Sequence, residues 1–298
     1  MFAGYLQAAA YKNLSDVGGL EGWRWLFIIC TIITIPVCLL GFFVFPDLPH
    51  RKKPYFLTEA QHNLSRPRLH GITAPAQIQM SKTIFKRVWG RWHWYVLVFH
   101  WCLLDQNSLA AGTPFSLYLK AKSSIYSVTQ INTLPTITTA ISVICAIAAG
   151  FVADKTGKFW IPSVLATIPV FIGALLLVSW NVGESGRLAG FMIIGTEGVL
   201  SPMSMSWTTT LLANDAAERA IVTASMNAIG QAFTAWTQLF QYPATEAPNF
   251  HKGFISFSVT AALQFVTIGT IYFLARRELH HKVKTGEIEE TKTTITEL

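Results

Sequence analysis

The sequence predicts an all-α integral membrane protein, and three observations carry that expectation. The chain of 298 residues is 51% hydrophobic and only 13% charged, with a mean hydropathy of +0.39, whereas about a quarter of residues are charged in an ordinary soluble domain. Seven stretches are long enough to cross a bilayer core, which takes roughly 20 apolar residues at about 1.5 Å each. One long polar connector separates the first of these stretches from six that follow closely.

The spans are expected at Trp25–Pro46, Trp92–Leu119, Ser123–Ala153, Phe159–Gly183, Leu188–Ala213, Ala220–Thr245 and Gly253–Ala275. Inside them only Asp105 and Glu197 carry a formal charge. Ahead of the first span, Met1–Tyr11 is uncharged and apolar but covers only about 16 Å at helical rise, too little to cross. It reads as a severed helix end, because a signal peptide needs a basic segment that Met1-Phe2-Ala3-Gly4 lacks. The connector from Asp47 to Arg91 is rich in Lys, Arg, His and Pro. Within it Thr58-Glu59-Ala60-Gln61 fits a capping box, which predicts a short surface helix toward Leu64 that Pro67 ends. The Glu-, Lys- and Thr-rich tail beyond Arg276 has little to bury and is expected to be largely disordered.

Charge distribution sets the orientation. Alternate loops divide the basic residues 17 against 6, with the larger share in the connector, the 154–158 and 214–219 turns and the tail. Cytoplasmic loops hold the excess of Lys and Arg, so the connector and the C-terminus are expected on the cytoplasmic side. A basic balance also suits nucleic-acid binding, but these cations flank spans and form no folded basic face, so no nucleic-acid partner is expected. Cys30, Cys38, Cys102 and Cys145 all lie in apolar spans without metal-ligand or disulfide spacing and are read as packing residues. No metal, nucleotide or other cofactor is indicated, and without a phosphate-binding Gly-rich loop ATP-driven pumping is disfavoured.

Six short-looped spans after a long central loop is the layout of one half of a two-bundle carrier. On that count residues 1–46 are the remnant of a first bundle (the end of helix five, then helix six), 47–91 the cytoplasmic central loop, 92–275 a C-terminal six-helix bundle and 276–298 a cytoplasmic tail. The first four helices are then absent. A midplane site needs walls from both bundles, so the chain alone is expected not to concentrate a substrate unless a separately encoded first half or a second copy supplies the other wall.

An ionisable residue at membrane depth is expensive and points to function. Asp105, near the middle of its span and followed by Gln106 and Asn107, is the first candidate for the substrate and proton pathway, because protonation relieves its charge as a cavity opens to either side. Glu197, in a span that Pro202 interrupts, is the second. For both, a structural hydrogen-bonded carboxyl is the alternative. At about 100° per residue Glu197, Ser201, Ser204 and Thr208 share a stripe of roughly 60°, and Asn227, Gln231, Thr234, Gln238 and Gln241 one of roughly 80°. Such stripes face protein or water rather than lipid, lining a pathway or joining helices. Trp101, Trp207 and Trp236 line a substrate site or simply pack. His93 and His100, near the start of their span, relay protons or make interfacial hydrogen bonds. No Lys or Arg lies inside a span, so the countercharge for an anionic substrate is expected from the absent half.

Gly150-Phe151-Val152-Ala153-Asp154-Lys155-Thr156-Gly157-Lys158 closes one span and opens the next. Its glycines are expected to permit a tight turn and close helix approach, with Asp154 accepting from helix-end donors and Lys155 and Lys158 holding the cytoplasmic side; an ordinary Gly turn with snorkelling lysines is the alternative. This segment resembles the signature loop of the major facilitator superfamily. Gly22-Trp23-Arg24-Trp25-Leu26-Phe27, Phe45-Pro46-Asp47-Leu48-Pro49 and Phe56-Leu57-Thr58-Glu59 look like the fungal allantoate permease family, the anion:cation symporters. Asn214-Asp215, Glu218-Arg219-Ala220-Ile221-Val222, Ser225-Met226-Asn227, Ala235-Trp236 and Tyr242-Pro243-Ala244 are similar to its pantothenate and vitamin transporter branch. The resemblance covers nearly the whole chain. It implies proton-coupled symport at the plasma membrane of a small organic anion, such as a pantothenate- or other vitamin-like carboxylate or allantoate. The rival reading is a truncated, non-transporting membrane protein that acts as a sensor or assembly partner. A membrane enzyme needs clustered catalytic groups near an interface, which the sequence does not offer.

Overall fold

The computed structural model describes residues 2–45, 53, 55–69 and 82–285, in two compact units, 2–79 and 80–298, each taken by itself. Every regular element among the described residues is a helix. Five helical runs are long and apolar enough to cross a membrane: Gly22–Val44, Thr129–Thr156, Trp160–Ser179, Gly183–Leu211 and His251–Lys284.

In the first unit α1 (Phe2–Leu14) packs on α2 (Gly22–Val44). Gly22 makes the approach possible, since a Cβ there would lie 2.8 Å from Tyr11 Cα. The 23 residues of α2 rise about 35 Å, enough for a bilayer core. Most of its apolar side chains, Phe42 and Phe43 among them, are exposed. Cys30 and Cys38 are exposed on the same helix. The capping box forms at the start of α3 (Glu59–Leu69): the Thr58 N–H donates to Gln61 Oε1 at 3.0 Å and the Gln61 N–H to Thr58 Oγ1 at 3.4 Å. The helix runs through Pro67 to Leu69 instead of stopping before it. Proline's missing donor and ring clash act on the preceding turn, and its own φ suits a helix.

The second unit holds α4 (Lys82–Trp89) and the bundle proper. The stretch expected as one span from Trp92 is two helices, α5 (Trp92–Ala111) and α6 (Thr113–Ala121), broken at Gly112, whose backbone sits at φ −102°, ψ −98°. Pro114 explains the break, because it lacks a donor and disfavours helical geometry at Thr113. α7 (Val128–Thr156) starts five residues later than expected, at a Ser127/Gln130 capping box. α8 is Trp160–Ser179.

The fifth bundle span is three pieces: α9 (Gly183–Ile193), a 3₁₀ segment Ile194–Val199 and α10 (Leu200–Leu211). The interruption therefore falls on Glu197 and not at Pro202, which lies in the first turn of α10, where the missing donor costs little. α11 is Ala216–Gln241, and Asp215 caps it by accepting the Glu218 N–H at 3.0 Å. α12 (His251–Lys284) runs nine residues beyond the expected span end at Ala275, where disorder was expected. Glu278 stabilises this extension, pairing with Lys282 at 2.7 Å and accepting from Trp92 Nε1 at 3.0 Å. The rest of the tail, 286–298, and the Pro46-Asp47-Leu48-Pro49 motif lie outside the described residues.

The bundle core is two apolar clusters. One gathers Leu97, Trp101, Leu104, Met203, Trp207, Met226 and Ile271, the other Phe115, Tyr118, Phe191, Ile194, Phe254 and Phe257. On α5, on the 3₁₀ segment and on α12 the chain passes from one cluster to the other through polar residues, 105–108, Glu197 and Gln264. A polar layer thus separates the two halves of the core.

Candidate functional site

That layer centres on four consecutive residues of α5. Asp105, Gln106 and Asn107 are buried. Gln106 joins α11, donating to Thr234 Oγ1 at 3.3 Å and accepting from Thr237 Oγ1 at 2.7 Å. Asn107 Oδ1 accepts from Thr260 Oγ1 of α12 at 2.7 Å. Ser108 Oγ donates to Glu197 Oε2 of the 3₁₀ segment at 3.0 Å. Asp105 faces Gly230 of α11 so closely that a Cβ there would stand 2.2 Å from Asp105 Oδ2 and 2.7 Å from Trp101 Cδ1. The 3₁₀ segment is seated equally tightly against α7, since Cβ atoms at Gly195 and Gly198 would lie 2.4 Å from the Thr138 carbonyl oxygen and 1.7 Å from Ser142 Oγ.

One and a half turns before Asp105, buried His100 makes a second cluster. Its Nδ1 lies 2.8 Å from Thr267 Oγ1 and its Nε2 2.9 Å from Ser204 Oγ, with Gln264 alongside. His100 is thus a core residue bridging α10 and α12, not an interfacial one. Asp105 Oδ2, Asn107 Nδ2, Glu197 Oε1 and Gln264 Oε1 are buried without a protein hydrogen-bond partner. Among the described residues neither Asp105 nor Glu197 has an ion-pair partner. A buried carboxyl without a cation is the kind of group that exchanges a proton, and unsatisfied amides and carbonyls suit a small polar solute.

The other expected residues divide. Trp101 and Trp207 pack in the apolar core, and Ser201 is half-buried on α10. Asn227 and Gln231 are exposed and Trp236 is 73% exposed, so the α11 stripe does not converge on Asp105 as a whole. Its middle member Thr234 accepts from Gln106, the neighbour of Asp105, while at the far end Gln241 donates to Ser256 of α12 at 2.9 Å. Thr260, Gln264 and Thr267 join the site without a charge to mark them, and their only sequence signal is the i, i+4, i+7 spacing of a helical stripe.

In the signature loop Gly157 caps α7 at φ 66°, its N–H donating to the Ala153 carbonyl at 2.8 Å. That is a tight turn through a left-handed residue, which glycine adopts without strain. Gly150 has open space where a Cβ would be among the described residues. Asp154 and Lys155 are exposed, and Lys158 donates its backbone N–H to Thr156 Oγ1 at 3.2 Å. Asp154 makes no hydrogen bond to helix-end donors among the described residues.

Each end of the bundle is tied by charge. At the α6–α7 end Glu184 accepts from Tyr118 at 2.6 Å, Tyr126 at 2.7 Å and Lys122. At the opposite end Glu218 is fully buried and pairs with Arg91 and with His93 Nδ1 at 3.0 Å, while His93 Nε2 meets Glu278 at 3.1 Å and Arg87 meets Asp215 at 2.8 Å. Burial opposes ionisation of Glu218, but the His93 hydrogen bond and the charges of His93 and Arg91 outweigh it and hold the carboxyl below its usual range.

Residues 1–238 match the Major Facilitator Superfamily. The chain is 30% identical to a pantothenate transporter of Schizosaccharomyces pombe, across 100% of this chain and 58% of that protein. It is 31% identical to a fungal transporter of the same superfamily from Pestalotiopsis fici, across 97% of this chain and 55% of the other. It is 28% identical to the vitamin H transporter of Saccharomyces cerevisiae, across 96% and 50%. The chain spans about half the length of the curated relatives it matches. A helical bundle with several membrane-spanning runs around a buried polar layer, matched over most of its length, places this chain in the major facilitator superfamily, a family of multi-pass membrane transporters and not of enzymes.

Proposed function

We propose that the chain forms the C-terminal bundle of a proton-coupled symporter for a small organic anion, a pantothenate- or other vitamin-like carboxylate or allantoate. The allantoate permease resemblance and the relatives named for pantothenate and vitamin H support the substrate class. The observation that carries the mechanism is the polar layer, where Asp105 and Glu197 are buried within the bundle without a cation among the described residues. Asp105 is the proton carrier in this reading. Gln106, Asn107 and Glu197 are the fixed partners around it, with Ser201, Asn227, Gln231 and Trp236 on surfaces that close only when a carrier of the relatives' length rocks about its midplane. Residues 92–275 are the second bundle and 1–46 the last part of the first. The membrane is the plasma membrane, with the connector, the Gly150, Asp154, Lys155, Gly157 and Lys158 loop and the C-terminus in the cytoplasm, as the basic residues direct.

The test expresses the full product of the encoding gene in cells lacking their own uptake and follows radiolabelled pantothenate, biotin and allantoate. Accumulation that a protonophore abolishes, and that Asp105→Asn abolishes without loss of surface insertion, is the expected result. If Asp105→Asn concentrates substrate as well as the parent, the proton role is wrong. If none of the three substrates accumulates, the substrate class is wrong.

A further inference from the structure

We propose that the cleft between the start of α5 and the end of α12 is a binding site for the head group of an anionic phospholipid. The cleft has a volume of about 1200 Å³, beyond the roughly 300–1,000 Å³ of a typical small-ligand pocket and far more than a free phosphate fills. Its wall changes chemistry along one helix. Tyr272, Phe273 and Leu274 come first, with Phe273 64% exposed, and the basic residues Arg276, Arg277 and Lys284 follow on the next turns. The change falls at Ala275, where the apolar span ends, so the cleft straddles the boundary between acyl chains and head groups.

The cations there are free to act. Arg91 and Lys282, which also line the cleft, are engaged by Glu218 and Glu278. Arg276, Arg277 and Lys284 are exposed and make no ion pair among the described residues. A helix C-terminus repels anions through its own carbonyls, so these side chains must supply the attraction. Orientation alone accounts for basic residues near a span end; it does not account for a cleft that sets three cations without an ion pair beside the exposed ring of Phe273. A phosphate head group with acyl chains beneath it matches both parts, whereas a free anion uses only the first. The orientation given under the proposed function makes this the cytoplasmic leaflet, where anionic lipids concentrate; binding itself is independent of transport.

The 298-residue protein is purified from membranes containing phosphatidylcholine and phosphatidylserine, and retained lipids are counted by native mass spectrometry. The parent should retain phosphatidylserine selectively. The variant Arg276→Gln/Arg277→Gln/Lys284→Gln should bind it about a hundredfold more weakly, taking each cation as a several-fold factor. Lys120→Gln/Lys252→Gln, at the opposite end, should bind as the parent does. Should the triple variant fail to insert, Lys284→Gln alone should weaken binding about fivefold. Equal retention of both lipids, or unchanged selectivity in the cleft variants, overturns the proposal. So does displacement of phosphatidylserine by inorganic phosphate, which would make this a site for the free anion.

Discussion

Replacing Glu218 by Ala tests whether the charged end of the bundle holds α5, α11 and α12 together. The cost follows from the exposure of its two partners. Arg91 is 46% exposed and regains water when Glu218 is lost, so that pair is worth about 0.2–1 kcal/mol, as at a surface. His93 is 6% exposed and loses one of two acceptors, and a buried donor left unpaired costs about 1–3 kcal/mol. Glu218→Ala should therefore destabilise by about 1–4 kcal/mol, reaching only the lower part of the roughly 3–5 kcal/mol of a fully buried broken pair. The sign with pH is fixed by the lowered carboxyl of the folded state. The unfolded chain binds the Glu218 proton near pH ~4.3, so this stabilisation is complete above that pH and drains away as the pH falls below it. Glu218→Gln should remove that share of the acid sensitivity. The assay is the unfolding midpoint of purified protein in detergent micelles at neutral pH and across the acid range. The reasoning fails if Glu218→Ala stays within about 0.5 kcal/mol of the parent, or if Glu218→Gln loses stability with acid as steeply as the parent.

Two glycines give further tests. Gly230→Ala forces a Cβ against Asp105 and Trp101 and should destabilise by about 1–3 kcal/mol with a change in tryptophan emission; an unchanged midpoint and spectrum would show that α5 and α11 are not so close. Gly157→Ala should cost about 1 kcal/mol because of its positive φ, while Gly150→Ala, with open space around it, should cost nothing measurable in the same thermal assay. Equal effects at the two sites would contradict the geometry.

Five of the seven expected spans are legible as long apolar helices among the described residues, because lipid leaves the backbone no partner but itself; the stretches around α5 and α11 carry too many polar residues to stand with them. What interrupts them was legible only in part. Gly112-Thr113-Pro114 carries its break in local chemistry, whereas the 3₁₀ turn at Ile194–Val199 goes with a tertiary fit of Gly195 and Gly198 against α7. Pro202 drew attention to the wrong place, one turn too late. Asp105, Gln106, Asn107 and Glu197 stood out as polar residues at membrane depth, and the structure joins them to one layer. Asn227, Gln231 and Trp236 were harder, because periodicity shows which residues share a face and not where that face points. The helical extension from Arg276 to Lys284 depends on Glu278 meeting Trp92 and His93, partners more than 180 positions away in the chain.

Residues 105 to 108 step around α5 by about 100° each, so together they reach most of the way round its circumference. With Gln106 fastened to α11, Asn107 to α12 and Ser108 to the turn that carries Glu197, α5 behaves as an axle gripped from three sides at one height. None of these three can slide or tilt past it at that depth without releasing a named bond. Whatever enters the layer is consequently felt by three helical segments at once.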